Sequence, residues 1–183
     1  MGLLVCFAGA IGSGKSSVSE AIATKLKWRR TGFGDYLRLE LTQAGNDPAN
    51  RKALQDLGQA RVDADSAGFC RDVLHSGGFQ PGDNFLLDGI RHASIYRHLV
   101  VLAKPSEARL LFLDVSEADR QRRMVGRADV HDFARAEAHR VESELHGGLP
   151  GIADACIYAS SDFDGVVEQC LNCLEKWQRG LGN

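Results

Sequence analysis

The apolar run Leu3-Leu4-Val5-Cys6-Phe7-Ala8 passes without a break into Gly9-Ala10-Ile11-Gly12-Ser13-Gly14-Lys15-Ser16-Ser17, and no other stretch constrains the fold as sharply. Six apolar residues in a row, with no polar alternation, predict a strand buried on both faces. Glycine tolerates positive φ, so three of them in six positions predict a tight turn. The segment that follows, to about residue 27, has helical character. Strand, tight turn and helix make one unit of a β-α alternation, which leads to a parallel sheet covered by helices.

The rest of the chain repeats that unit. Continuous apolar runs at 3–9, 84–89, 109–115 and 155–160 predict strands. Helices are expected at 15–27, 35–44, 49–75 with a break, 93–103, 117–126, 130–146 and 163–178. Ser116 and Asp119 form a capping-box pattern after the third run. Gly147, Gly148 and Pro150 stop the helix before them. Phe163, Val166, Val167, Cys170, Leu174 and Trp177 recur at helical spacing, so the last helix should dock through one stripe. Residues 43–50 and 75–84 read as loops. With 183 residues, 44% of them hydrophobic, one domain of ordinary core size is expected.

Charge and cysteine usage exclude several function classes. A net charge of −2 creates no cationic field that would call for a nucleic-acid or membrane-surface role. The basic residues are 16 arginines and 6 lysines, a bias that suits phosphate, since a guanidinium donates to phosphate oxygens in pairs. Five cysteines without framework spacing read as reduced thiols of a cytoplasmic protein, and Cys170-x-x-Cys173 as two residues of one helix. The histidines show no zinc-site spacing. The first ten residues lack a basic leader and read as the buried first strand, and no run reaches the ~20 apolar residues of a membrane span.

Gly9, Gly14, Lys15 and Ser16 satisfy Gly-x-x-x-x-Gly-Lys-Ser, in the context of strand, turn and helix. Gly12 and Gly14 let backbone N–H groups turn inward, and the helix aims its positive dipole end at the same point. A nucleoside triphosphate is therefore the expected ligand of Gly9, Ile11, Gly12, Ser13, Gly14, Lys15, Ser16 and Ser17. Lys15 would bridge the β- and γ-phosphates, and the Ser16 hydroxyl would ligate Mg2+. Asp88, closing the run Phe85-Leu86-Leu87, is the expected acid on the metal side.

From about residue 4 to 178 the chain resembles the nucleoside monophosphate kinase superfamily of P-loop kinases, of the adenylate kinase-like and dephospho-coenzyme A kinase-like kind. The likeness is carried by Phe33-Gly34-Asp35-Tyr36-Leu37-Arg38, by Leu86-Leu87-Asp88-Gly89-Ile90-Arg91, and by the segment 112–127, which is similar to the family's strand, helix and arginine-bearing lid. The resemblance implies a three-layer α/β/α fold with a parallel sheet of about five strands. It also implies a core of 1–34, 84–120 and 150–179, an acceptor-binding helical region of about 35–75, and a short lid of about 121–146. It places Arg38 and Arg91 near an acceptor's phosphate and implies that the donor adenine is read by backbone near 159–164. Residues 51–62 resemble an acceptor-binding helix of phage-type deoxynucleotide kinases, with Gln55 and Arg61 as candidate contacts.

Phosphoryl transfer gathers negative charge from two partners, which calls for cations around the migrating group. Arg120, Arg122, Arg123 and Arg127 crowd one helix end, where like charges repel unless an anion joins them. Arg123 and Arg127 are the expected lid arginines, with Arg140 reinforcing them. Asp35 is either the base that an alcohol acceptor needs or a group that positions metal and acceptor. The absence of proline in Asp88-Gly89-Ile90-Arg91-His92 departs from the common nucleotide-kinase pattern, and so does the short lid. The expected activity is ATP- and Mg2+-dependent phosphorylation of a nucleoside or deoxynucleoside monophosphate by a monomer or homodimer. A hydroxyl of dephospho-coenzyme A or of a hydroxymethyl pyrimidine in phage-type DNA is the alternative acceptor, and a regulatory nucleotide-binding module without transfer activity is the third reading.

Overall fold

A computed structural model describes residues 1–124, 148–159 and 162–181, with the side chain of Met124 left out. β1 (Leu3–Gly9) leads into α1 (Lys15–Leu26), β2 (Arg29–Gly32), α2 (Phe33–Gln43), α3 (Arg51–Ser76) and β3 (Phe85–Ile90). α4 (Ala93–Leu102), β4 (Glu107–Asp114), α5 (Glu117–Met124), α6 (Leu149–Ile152), β5 (Ala155–Tyr158) and α7 (Phe163–Gly180) follow. The strands form one five-stranded sheet in the order β2-β3-β1-β4-β5, and every neighbouring pair is parallel.

Period-two geometry explains why β1 is apolar at every position. Leu4, Cys6 and Ala8 face a core built with α2, α3 and α4, whereas Leu3, Val5 and Phe7 face a second core built with α1 and α7. β3 divides the same way, Phe85 and Leu87 to one side and Leu86 to the other. A strand enclosed on both faces has no wet side and so shows no polar alternation.

Two local features depart from the sequence reading, the strand β2 and the exposure of Phe163, and the expected helix break is present. β2 carries no apolar run because it is a four-residue edge strand, with Arg29 exposed and only Thr31 and Gly32 buried. The expected break in the long helix falls at Asp65, whose φ of −156° and ψ of 87° are not helical. The Asp65 carboxylate accepts from the Gly68 N–H at 2.8 Å and so caps the second half. In α7 the stripe Val166, Val167, Cys170 and Leu174 is buried, but Phe163, at the first position, is 44% exposed. The capping box holds, with the Asp119 N–H donating to Ser116 Oγ at 3.1 Å. The expected helix 130–146 lies outside the described residues.

Candidate active site

β1 is the central strand, and its C-terminal end delivers the glycine loop to the edge of the sheet. Gly12 and Gly14 have φ of 81° and 85°, the left-handed region that residues with a Cβ avoid. α1 then opens on Gly14 with no side-chain cap and no acidic residue in its first turn. Gly14 brings no capping side chain to the first N–H groups of that helix, and those groups converge with the dipole on one point, a geometry that takes an anion. Ser13 is buried, and its hydroxyl has no hydrogen-bond partner among the described residues.

A cavity of about 750 Å³ joins this loop to the region between α2, α3 and the end of β3. Ile11, Gly12, Gly14, Lys15, Ser16 and Ser17 line one part of it. Asp35, Arg38, Gln55, Asp88, Arg91 and Arg123 line it as well. Gly9 and Ser13 are not among its lining residues. A Cβ at Gly9 would lie 2.6 Å from the Leu113 carbonyl oxygen, so that glycine serves the close approach of β1 and β4. Arg127 and Arg140, like most of the segment 121–146, lie outside the described residues, as do Ser160 and Ser161 of the segment 159–164.

The two carboxylates share a guanidinium that the sequence reading missed. Arg30, on β2, donates from Nη2 to Asp88 Oδ2 at 3.0 Å and from Nη1 to Asp35 Oδ2 at 3.2 Å. Its Nε donates to Ser19 Oγ at 2.8 Å, and Ser19 in turn donates to the Ser16 carbonyl at 2.9 Å. Asp35 Oδ1 accepts from Arg38 Nη1 at 3.2 Å, so both Asp35 oxygens face cations. Asp88 is buried, and its second oxygen, Oδ1, has no hydrogen-bond partner among the described residues. Asp88 and Ser16 line the same cavity, and a carboxylate oxygen and a hydroxyl are the hard oxygen donors that Mg2+ prefers. Among the described residues no three His, Cys, Asp or Glu side chains group to hold a metal by themselves, so a bound Mg2+ would need phosphate oxygens to complete its shell.

The arginines of α5 separate in three directions. Arg123 reaches the loop, its Nη1 donating to the Ser13 carbonyl at 3.0 Å and its Nη2 to the Ala159 carbonyl at 2.7 Å. Arg120 is buried, and Arg122 pairs with Asp119 at the surface. Arg122 and Arg123 thus meet separate partners, a carboxylate and two backbone carbonyls.

α3 contributes differently from the sequence reading. Arg51, Leu54, Gln55, Gly58, Gln59 and Val62 follow helical spacing and line the cavity along one face. Gln55 Nε2 and Gln59 Oε1 are buried without hydrogen-bond partners among the described residues. Arg61 is not a lining residue. It donates to Tyr36 Oη at 2.9 Å and to Asp72 at 2.7 Å, and its guanidinium lies over the Tyr36 and Phe69 rings, 5.7 and 5.5 Å from their centroids. Arg61 thus ties α2 to α3 and makes no contact with the chamber. Arg51 and Gln59 lie in the segment 51–62 but are not singled out there by the sequence reading; the signal that could have found them is their place on the same helix face as Gln55.

No family model matches the chain, and no curated protein matches it by sequence. Solved structures match in shape. A gluconokinase from Sinorhizobium meliloti superposes with a TM-score of 0.65 at 20% identity, covering 98% of this chain and 95% of the other. A shikimate kinase from Aquifex aeolicus gives 0.58 at 14% identity, covering 98% and 99%. A shikimate kinase from Bacteroides thetaiotaomicron gives 0.56 at 17% identity, covering 94% and 98%. With a parallel five-stranded sheet and the glycine loop at the end of its central strand, the chain has the α/β fold of the P-loop kinases.

Proposed function

We propose that this protein is an ATP- and Mg2+-dependent phosphotransferase whose acceptor is a nucleoside or deoxynucleoside monophosphate. One observation carries the reading: the glycine loop and the cluster of Asp35, Arg38 and Arg91 open into the same chamber of about 750 Å³. Donor and acceptor phosphates can then meet without crossing solvent, as transfer requires.

The roles follow from charge. The loop N–H groups and Lys15 hold the triphosphate, and Ser16 and Asp88 would hold Mg2+. Bound Mg2+ neutralises part of the phosphate charge that builds up during transfer. Arg123, fixed to the loop carbonyl of Ser13, keeps a positive charge over the cradle, where equatorial oxygens become more negative. Arg38, Arg51 and Arg91 supply three guanidinium groups to an anionic acceptor. Phe33, Leu54, Val62 and Phe69 give the chamber an apolar wall suited to a flat ring. A phosphate acceptor is already a nucleophile, so Asp35, held between Arg30 and Arg38, positions cations in this reading and removes no proton.

A second reading is favoured by Asp35 itself, whose side chain is half exposed in the chamber. The kinases that share the fold are named for gluconate and shikimate, acids that carry hydroxyls. A hydroxyl acceptor would use Asp35 as the base.

The experiment is transfer from labelled ATP with Mg2+ to a panel of monophosphates, dephospho-coenzyme A, hydroxymethyl-pyrimidine DNA, gluconate and shikimate, with Lys15→Met as the blank. Product with a monophosphate, lost by less than about tenfold in Asp35→Asn, supports the first reading. Product only with hydroxyl acceptors, abolished by Asp35→Asn, replaces it with the second.

A further inference from the structure

Arg30 stands where a small cation would otherwise be drawn. Its guanidinium faces two carboxylates, Asp35 at 3.2 Å and Asp88 at 3.0 Å, and its third edge is tied to Ser19 at 2.8 Å. The Arg30 side chain is 19% exposed and that of Asp88 is 8% exposed, so water screens this end of the pair weakly. A guanidinium does not lose its proton in proteins, which makes it a permanent counter-ion.

We infer that Arg30 is an internal counter-ion that keeps free divalent cations out of the site, so that the metal enters only together with a nucleotide. The inference rests on reading the loop as a polyphosphate cradle and adds a condition on how that cradle is loaded. Divalent cations bind where several oxygens converge. With Arg30 in place, Asp88 keeps one unclaimed oxygen, Oδ1, and both Asp35 oxygens are engaged by guanidinium groups. One carboxylate oxygen and the Ser16 hydroxyl are too few donors for a metal from bulk water, whereas polyphosphate oxygens would complete the set. The same three contacts hold α1, α2 and the end of β3 in one arrangement, through Ser19, Asp35 and Asp88 respectively. Arg30 is thus a positioning residue, and it acts through the groups it orients.

The test uses Mn2+ alone as the probe, with its free concentration read from the solution EPR signal. Nucleotide-free wild type and Arg30→Lys should leave Mn2+ free, and adding ADP should bring it into the complex. Arg30→Met, which removes the charge, should bind Mn2+ without nucleotide at least about tenfold more tightly than wild type. Arg30→Gln keeps a donor for Ser19 and should show the same gain if Arg30→Met fails to fold. Tight nucleotide-free binding by the wild type, equal binding by Arg30→Lys and the uncharged variants, or no gain in the uncharged variants would each overturn the inference. Absence of phosphoryl transfer to every acceptor would instead defeat the proposed activity and leave the Mn2+ result standing.

Discussion

Gly32→Ala tests whether the position of Asp35 matters to the reaction. Gly32 ends β2 opposite Asp88, with φ of −148° and ψ of 151°, an extended conformation that alanine adopts freely. A Cβ there would lie 2.9 Å from Asp35 Oδ2, and 3.3 and 3.4 Å from the carbonyl oxygen and Cβ of Asp88. The two Asp88 contacts need little adjustment. Ordinary contact begins near 3.4 Å, so the Asp35 carboxylate must retreat by about 0.5 Å from its 2.9 Å position. That end is half exposed and can move, at the expense of its ion pair with Arg30. Loss of one partly exposed pair costs about 0.2–1 kcal/mol, a fall in Tm of about 1–4 °C for a chain of this size. Catalysis is less forgiving: a displacement of 1 Å costs up to about a hundredfold, so half of that costs at most about tenfold in kcat/KM, and a loss of about three- to fivefold is expected where Asp35 positions cations. Thermal unfolding and steady-state kinetics on the same preparation measure both. A kcat/KM within twofold of wild type would refute the claim that Asp35 placement controls transfer. A fall in Tm above 10 °C would refute the claim that only a solvated side chain yields.

Two further outcomes follow from unpaired and paired polar groups. Gln59 donates to Asp63 at 2.8 Å, which commits its amide nitrogen and leaves Oε1 buried without a partner, a state that costs about 1–3 kcal/mol unless a ligand supplies a donor. Gln59→Leu should leave Tm unchanged or raised while the acceptor KM rises about tenfold and the ATP KM stays constant; parallel changes in both KM values would contradict an acceptor-side role. Ser116, and after it Tyr158 and Arg122, hold the Asp119 carboxyl below its ordinary range. A carboxyl lowered by folding contributes stability that is complete above its unfolded pKa and is lost as the pH falls through the folded one. The Tm difference between wild type and Asp119→Asn should therefore favour wild type at neutral pH and shrink on acidification from about pH 5 to pH 2; a constant difference would show that the interaction does not depend on charge.

The sequence by itself determined the layers and the cradle. Uninterrupted apolar runs report burial on two faces, and glycines before Lys15 and Ser16 report a turn that needs positive φ; both are local properties, written into neighbouring residues. Only the tertiary structure decided which charges meet. Arg30 finds Asp88 across 58 positions of chain because β2 and β3 are neighbours in the sheet, and β2 is too short and too charged to announce itself. Arg61, on a helix that supplies seven lining residues, turns to Tyr36 and Asp72, while Arg51 and Gln59 of the same helix face the chamber. The arginines of α5 part company for the same reason. A periodic pattern tells a helix which side is apolar; the direction of each charged side chain is settled by partners that the crossover connections bring from distant parts of the chain.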